Sequence, residues 1–85
     1  MTTRETVLYD QLKEAFIIIH KSQQINREMA SWEKRIMIMN DDEIEQTCRN
    51  ITNRISSFIN NEKIARREVS AQQIKTKIRE ELNNL

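Results

Sequence analysis

Apolar side chains recur along the first half of the chain at Ala15, Ile18, Ile25, Met29, Trp32, Ile36 and Met39, in steps of three and four broken only by Ser22. Such spacing returns to one face of an α-helix about every seven residues. Leu8, Leu12, Phe16 and Ile19 form a neighbouring stripe nearer the amino end. Thr2 followed by Glu5 fits a capping box, in which each side chain accepts a hydrogen bond from the other residue's free backbone N–H. These features predict a first helix over residues 4–39. The polar run Lys21 to Gln24 marks where it would break.

Asn40, Asp41, Asp42 and Glu43 form the strongest corner. Short Asn and Asp side chains accept hydrogen bonds from exposed N–H groups, and acidic residues in a first turn face the positive end of the helix dipole. A second helix over residues 42–68 follows, with Ile44, Cys48, Ile51, Ile55 and Phe58 on its repeat. Glu45 with Arg49, and Glu62 with Arg66, are placed as favourable pairs one turn apart. Asn60 and Asn61 offer one break. Ser70 with Gln73 makes another capping box, and Val69 with Ile74 supplies the hydrophobic staple that accompanies it. A third helix over residues 71–84 then carries Ala71, Ile74, Ile78, Leu82 and Leu85.

Folding the chain back at Asp41 sets Trp32 opposite Ile51, Ile25 opposite Phe58, Leu12 opposite Ala71 and Leu8 opposite Ile74 or Lys75. Nearly every such pair is apolar. The expected fold is therefore all-α: a long antiparallel helical hairpin with a C-terminal third helix or a kinked second arm. Ile17, Met37, Ile38 and Ile59 fall off this seam, so the hairpin is expected to pair into a helical bundle that covers them.

Composition sharpens the picture. There is no Gly and no Pro in 85 residues, which argues against tight hairpin turns and Gly-rich phosphate loops. Hydrophobic residues are 38% of the chain, below the usual apolar fraction of roughly 45–50%. A single small domain of this kind gains stability by sharing its core with a partner. One cysteine permits no internal disulfide and fits a reducing compartment. The amino end lacks the apolar core of a signal peptide, and the longest apolar run, Ala15 to Ile19, is too short to span a membrane. A cytoplasmic location is expected, and a nuclear one suits the same features.

Net charge is +1 but unevenly spread. Residues 1–48 hold six Lys/Arg against nine Asp/Glu, and residues 49–85 hold eight against four. The positive third carries the one motif with a chemical reading. Residues 63–79 loosely resemble a helix-turn-helix, with Ala65 at the crossing and Gln72, Gln73, Lys75 and Thr76 able to reach base edges. Lys63, Arg66, Arg67 and Arg79 would neutralise phosphates. The motif lacks its usual turn Gly, its turn is a residue short, and Glu68 stands where an apolar residue normally packs.

Catalytic chemistry finds little footing. Zinc needs clustered Cys and His, whereas Cys48 and His20 stand alone. Cys48 reads as a small core hydrophobe and His20 as a solvated helix residue. Asp41 to Glu43 read as caps, and Glu80 with Glu81 as a solvated face. The sequence thus predicts a non-enzymatic interaction module, such as an adaptor, small chaperone or inhibitor, with no catalytic residue, cofactor, metal or small-molecule substrate. Its contact surface is expected at Ile17, Ile18, Met37 and Ile38, and its partners are another protein and a second copy of itself, not a membrane. The alternative is a small DNA-binding regulator using Lys63, Arg66, Arg67, Gln72, Lys75, Thr76 and Arg79.

Overall fold

A computed structural model describes residues 4–22 and 24–85; the expected Thr2 cap lies outside them. The described residues form four helices and no strand: α1 (Arg4–Ser22), α2 (Ser31–Ile38), α3 (Asp41–Ile64) and α4 (Ala71–Asn83). None of these helices is long and apolar enough to cross a membrane.

The expected continuous helix over residues 4–39 is divided into α1 and α2. The polar connector explains the division. The Ser22 hydroxyl donates to the Ile19 carbonyl at 3.0 Å, and the Asn26 side chain accepts from the Glu28 N–H at 3.0 Å. Ser and Asn offer the backbone such local partners in place of helical ones. At the start of α2, Glu33 reaches back to the Ala30 N–H at 3.1 Å. Alanine has no side-chain acceptor to return the bond, so this cap is half made.

The next two helix starts carry complete boxes. Asn40 accepts from the Glu43 N–H at 2.8 Å while Glu43 accepts from the Asn40 N–H at 3.4 Å. Ser70 and Gln73 do the same at 3.2 and 2.8 Å. Each side-chain cap is worth about 1 kcal/mol.

Dividing the first helix changes the register. Leu8 shares a groove with Ser56 and Ile59 rather than facing Ile74, and Tyr9 lies beside Arg49 and Thr52. α1 therefore runs antiparallel along α3 itself. α4 lies along the same helix: Arg54 meets Glu81 at 2.9 Å, and Lys77 sits 5.9 Å from the Phe58 ring centroid. As α4 advances one turn, α3 retreats one turn, which is the signature of an antiparallel pair. α2 packs against α1 and α4. Trp32, expected near Ile51, has the Phe16 ring as its aromatic neighbour, centroids 6.4 Å apart.

The core is Leu12 and Phe16 from α1, Ile36 from α2, and Ile44, Cys48, Ile51, Ile55 and Ile59 from α3. Ile74, Ile78, Leu82 and Leu85 flank it at the α4 side. Each fully buried aliphatic or aromatic side chain contributes about 1.5–3 kcal/mol.

α3 ends at Ile64, short of the expected Glu68. The Arg67 N–H bonds the Glu62 carbonyl at 2.9 Å and the Arg66 N–H bonds the Lys63 carbonyl at 3.0 Å. These two bonds define a Schellman motif, whose turning residue adopts left-handed backbone and is usually Gly. Here it is Arg66, at φ 59°. Glu62 consequently pairs with Arg67, at 2.6 Å, and not with Arg66 as the helical spacing implied. The ion pair occupies the place where an apolar contact often locks this motif. Arg66→Gly should relieve the β-carbon penalty and raise unfolding stability by about 0.5–1 kcal/mol, read from urea midpoints at constant slope. No gain would mean that Arg66 does not hold positive φ in solution.

Candidate interaction surfaces

Ile18 and Ile38 are exposed, at 63% and 82%, while Ile17 and Met37 are half-buried. α1 and α2 bring these residues to one end of the molecule. The Phe16–Trp32 contact is followed one turn later by His20 Nδ1, 3.2 Å from the Ile36 carbonyl. Both helices therefore advance in the same sense. The carbonyl can only accept, so Nδ1 carries the hydrogen. His20, expected in solvent, instead ties the end of α1 to the end of α2. Ile18 and Ile38 each lie two residues from this bond. Ile25, expected on the seam, sits on the connector at 70% exposure.

The cationic residues separate into two groups. Lys63, Arg66 and Arg67 gather at the α3–α4 turn, whereas Gln72, Lys75, Thr76 and Arg79 share one exposed face of α4. Arg67 is already engaged: the hydrogen bond it donates to Glu62, and then that carboxylate's charge, raise the guanidinium above its ordinary pKa. The arrangement over residues 63–79 differs from a helix-turn-helix. Its connector is residues 65–70, longer than the usual three or four, and α4 lies lengthwise on α3 rather than crossing it at roughly 90–120°. The pairings of Glu81 with Arg54 and of Lys77 with Phe58 hold it there.

A groove of about 270 Å³ opens between the start of α1 and the end of α3. Leu8 and Ile59 give it an apolar floor, Ser56 and Asn60 polar walls, and Arg4, Glu5 and Lys63 its charges. Val7 and Ile64 are exposed at the same end of the molecule, Ile64 at 81%. Sequence reasoning passed over this site. Its signal was Arg4, a cation in a helix's first turn, where the dipole disfavours positive charge.

The groups considered for chemistry take structural places. Asp41, Asp42 and Glu43 fill the first turn of α3. Glu81, expected in solvent, is buried at 8% exposure against Arg54, with Lys77 at 3.7 Å. Among the described residues no group of three or more His, Cys, Asp and Glu is placed to hold a metal.

Cys48 is buried, and loss of hydration pushes its thiol up to about 11, with Lys13 opposing and Glu45 adding to the shift. The unfolded thiol ionises near 9, so stability is retained below pH 9. It should fall between pH 9 and 11 as the unfolded state alone loses the proton. At pH 8 a disulfide reagent should label Cys48 only as fast as the protein opens, and labelling at the rate of a free thiol would contradict its burial.

Compared with protein-family models, curated proteins and solved structures, this chain matches none of them.

Proposed function

We propose that this chain is a non-enzymatic helical protein-interaction module, and that the patch around Ile18 and Ile38 joins it to a second copy. The exposure of these two isoleucines, each near the end of its helix where α1 and α2 pack, is the observation that carries the reading. Whole-molecule geometry supports it. A monomer of 10.2 kDa ordinarily exposes about 5,300 Å², whereas this chain exposes 6565 Å². The surplus exceeds the roughly 800 Å² that each partner hides in a standard interface.

The Cα radius of gyration, 13.9 Å, likewise exceeds the value near 12 Å usual for a domain of this length. The molecule is flat, with extents of 44 × 29 × 16 Å, a shape that leaves much surface for its volume. Half-buried Ile17 and Met37 border the patch and would extend the contact. Adaptor, small-chaperone and inhibitor roles all suit such a module.

The DNA-binding alternative rests on the exposed α4 face of Gln72, Lys75, Thr76 and Arg79. Lengthwise packing of α4 on α3 favours it less, because a recognition helix normally stands free to enter the major groove.

In sedimentation equilibrium the wild type should rise with concentration from 10.2 kDa toward twice that mass. The double variant Ile18→Glu, Ile38→Glu should remain monomeric with unchanged helical circular dichroism. A wild type that stays monomeric throughout ends the self-association reading. A salt-sensitive shift of duplex DNA, dependent on Lys75 and Arg79, would favour the alternative.

A further inference from the structure

We infer that the groove between the start of α1 and the end of α3 is a second docking site, for an acidic peptide segment carrying an aliphatic anchor residue. This goes beyond the self-association patch, which lies at the other end of α1.

The cavity's size narrows the ligand. At about 270 Å³ it falls below the usual range of roughly 300–1,000 Å³ for small-molecule sites. It accommodates one large side chain, and its Leu8 and Ile59 floor calls for an apolar one. Val7 and Ile64, exposed at the same end, would continue the apolar contact outward. Ser56 and Asn60 in the walls offer hydrogen bonds to a peptide backbone.

The charges narrow it further. Arg4 and Lys63 line the groove, and Arg66 stands one turn beyond Lys63. Among the described residues none of the three is ion-paired, whereas Arg67 beside them is held by Glu62. Lys63 has a local explanation, since a cation in the last turn of α3 suits the helix dipole. Arg4 and Arg66 have none. Arg4 occupies a first turn that disfavours cations, and Arg66 occupies a left-handed position that favours Gly or Asn. Neither place is one that the local backbone prefers for Arg, so helix stability does not account for them.

Glu5 decides between partners of different class. It shares the groove with the two cations and would repel a continuous phosphate backbone. A peptide can offer carboxylates to Arg4 and Lys63 while turning an amide or cation toward Glu5. Glu68, exposed after the turn, reinforces the same mixed pattern.

The test uses the full chain, labelled with nitrogen-15, and a synthetic helical peptide of about fifteen residues. The peptide is rich in Glu, with Leu at intervals of three and four. Backbone shifts should concentrate at Leu8, Ile59 and Lys63 and saturate. A peptide with Leu replaced by Ser should bind at least tenfold more weakly.

Reversal of both cations, Arg4→Glu with Lys63→Glu, should weaken binding by tenfold or more. Should that variant fail to fold, Arg4→Gln with Lys63→Gln carries the same expectation at smaller magnitude. The monomeric Ile18→Glu, Ile38→Glu variant should bind the peptide as the wild type does, which separates this site from the self-association patch. Shifts elsewhere, affinity unaffected by the charge changes, or tighter groove binding by duplex DNA or anionic vesicles would each overturn the assignment.

Discussion

The apolar stripe of Ile44, Cys48, Ile51, Ile55 and Ile59 along α3 is the surface on which α1 and α4 both fold. α1 supplies Leu12 and Phe16 from one side, and α4 supplies Ile74, Ile78 and Leu82 from another. A single helix cannot bury such a stripe alone, and its exposure in water is what draws the other elements in. α2 contributes one fully buried residue, Ile36, and closes the arrangement by touching α1 and α4. Both candidate surfaces inherit their geometry from this order. Ile18 and Ile38 sit where α1 and α2 end together, and the charged groove sits where α1 begins against the end of α3.

A chain without glycine or proline must turn by other means. It does so with side chains that replace missing backbone partners: Asn40 with Glu43, Ser70 with Gln73, and Asn26 in the connector. The exception is Arg66, where a residue with a β-carbon takes the left-handed place. The Glu62–Arg67 ion pair joins the same two residues that the backbone bond already joins. An exposed pair contributes little alone, but here it acts on a geometry already fixed.

The sequence made much of this legible. Corners at Asn40 and Ser70 announced themselves because capping is local: acceptor and N–H lie within three residues. The Glu45–Arg49 pair, at 2.6 Å, was readable for the same reason. What could not be read was the long-range register. A seven-residue repeat says which residues want burial but not against which helix. Ile25 satisfied the repeat and still lies on the connector, because α1 ends at Ser22 and Asn26 holds the turn that follows. Glu81 looked solvated beside Glu80, yet Arg54, twenty-seven residues away, allows it to be buried. The groove at Arg4 escaped for a related reason, since its walls come from α1 and the end of α3, far apart in the chain.

The antiparallel pairing of α3 with α4 bears on how the molecule assembles. Phe58 and Lys77 are close in sequence, whereas Leu8 reaches Ile59 only after most of the chain has been gathered. Short loops close at lower entropic cost than long ones, so we expect the α3–α4 hairpin to form before α1 docks. Once docked, α1 buries Leu12 and Phe16 and is tied to α2 through His20, whereas the apolar residues of α4 are only partly buried. α1 amides should therefore open late in native-state hydrogen exchange, and exchange in α1 ahead of α4 would refute it. Because α1 lines both surfaces, one partial opening would dismantle the two together.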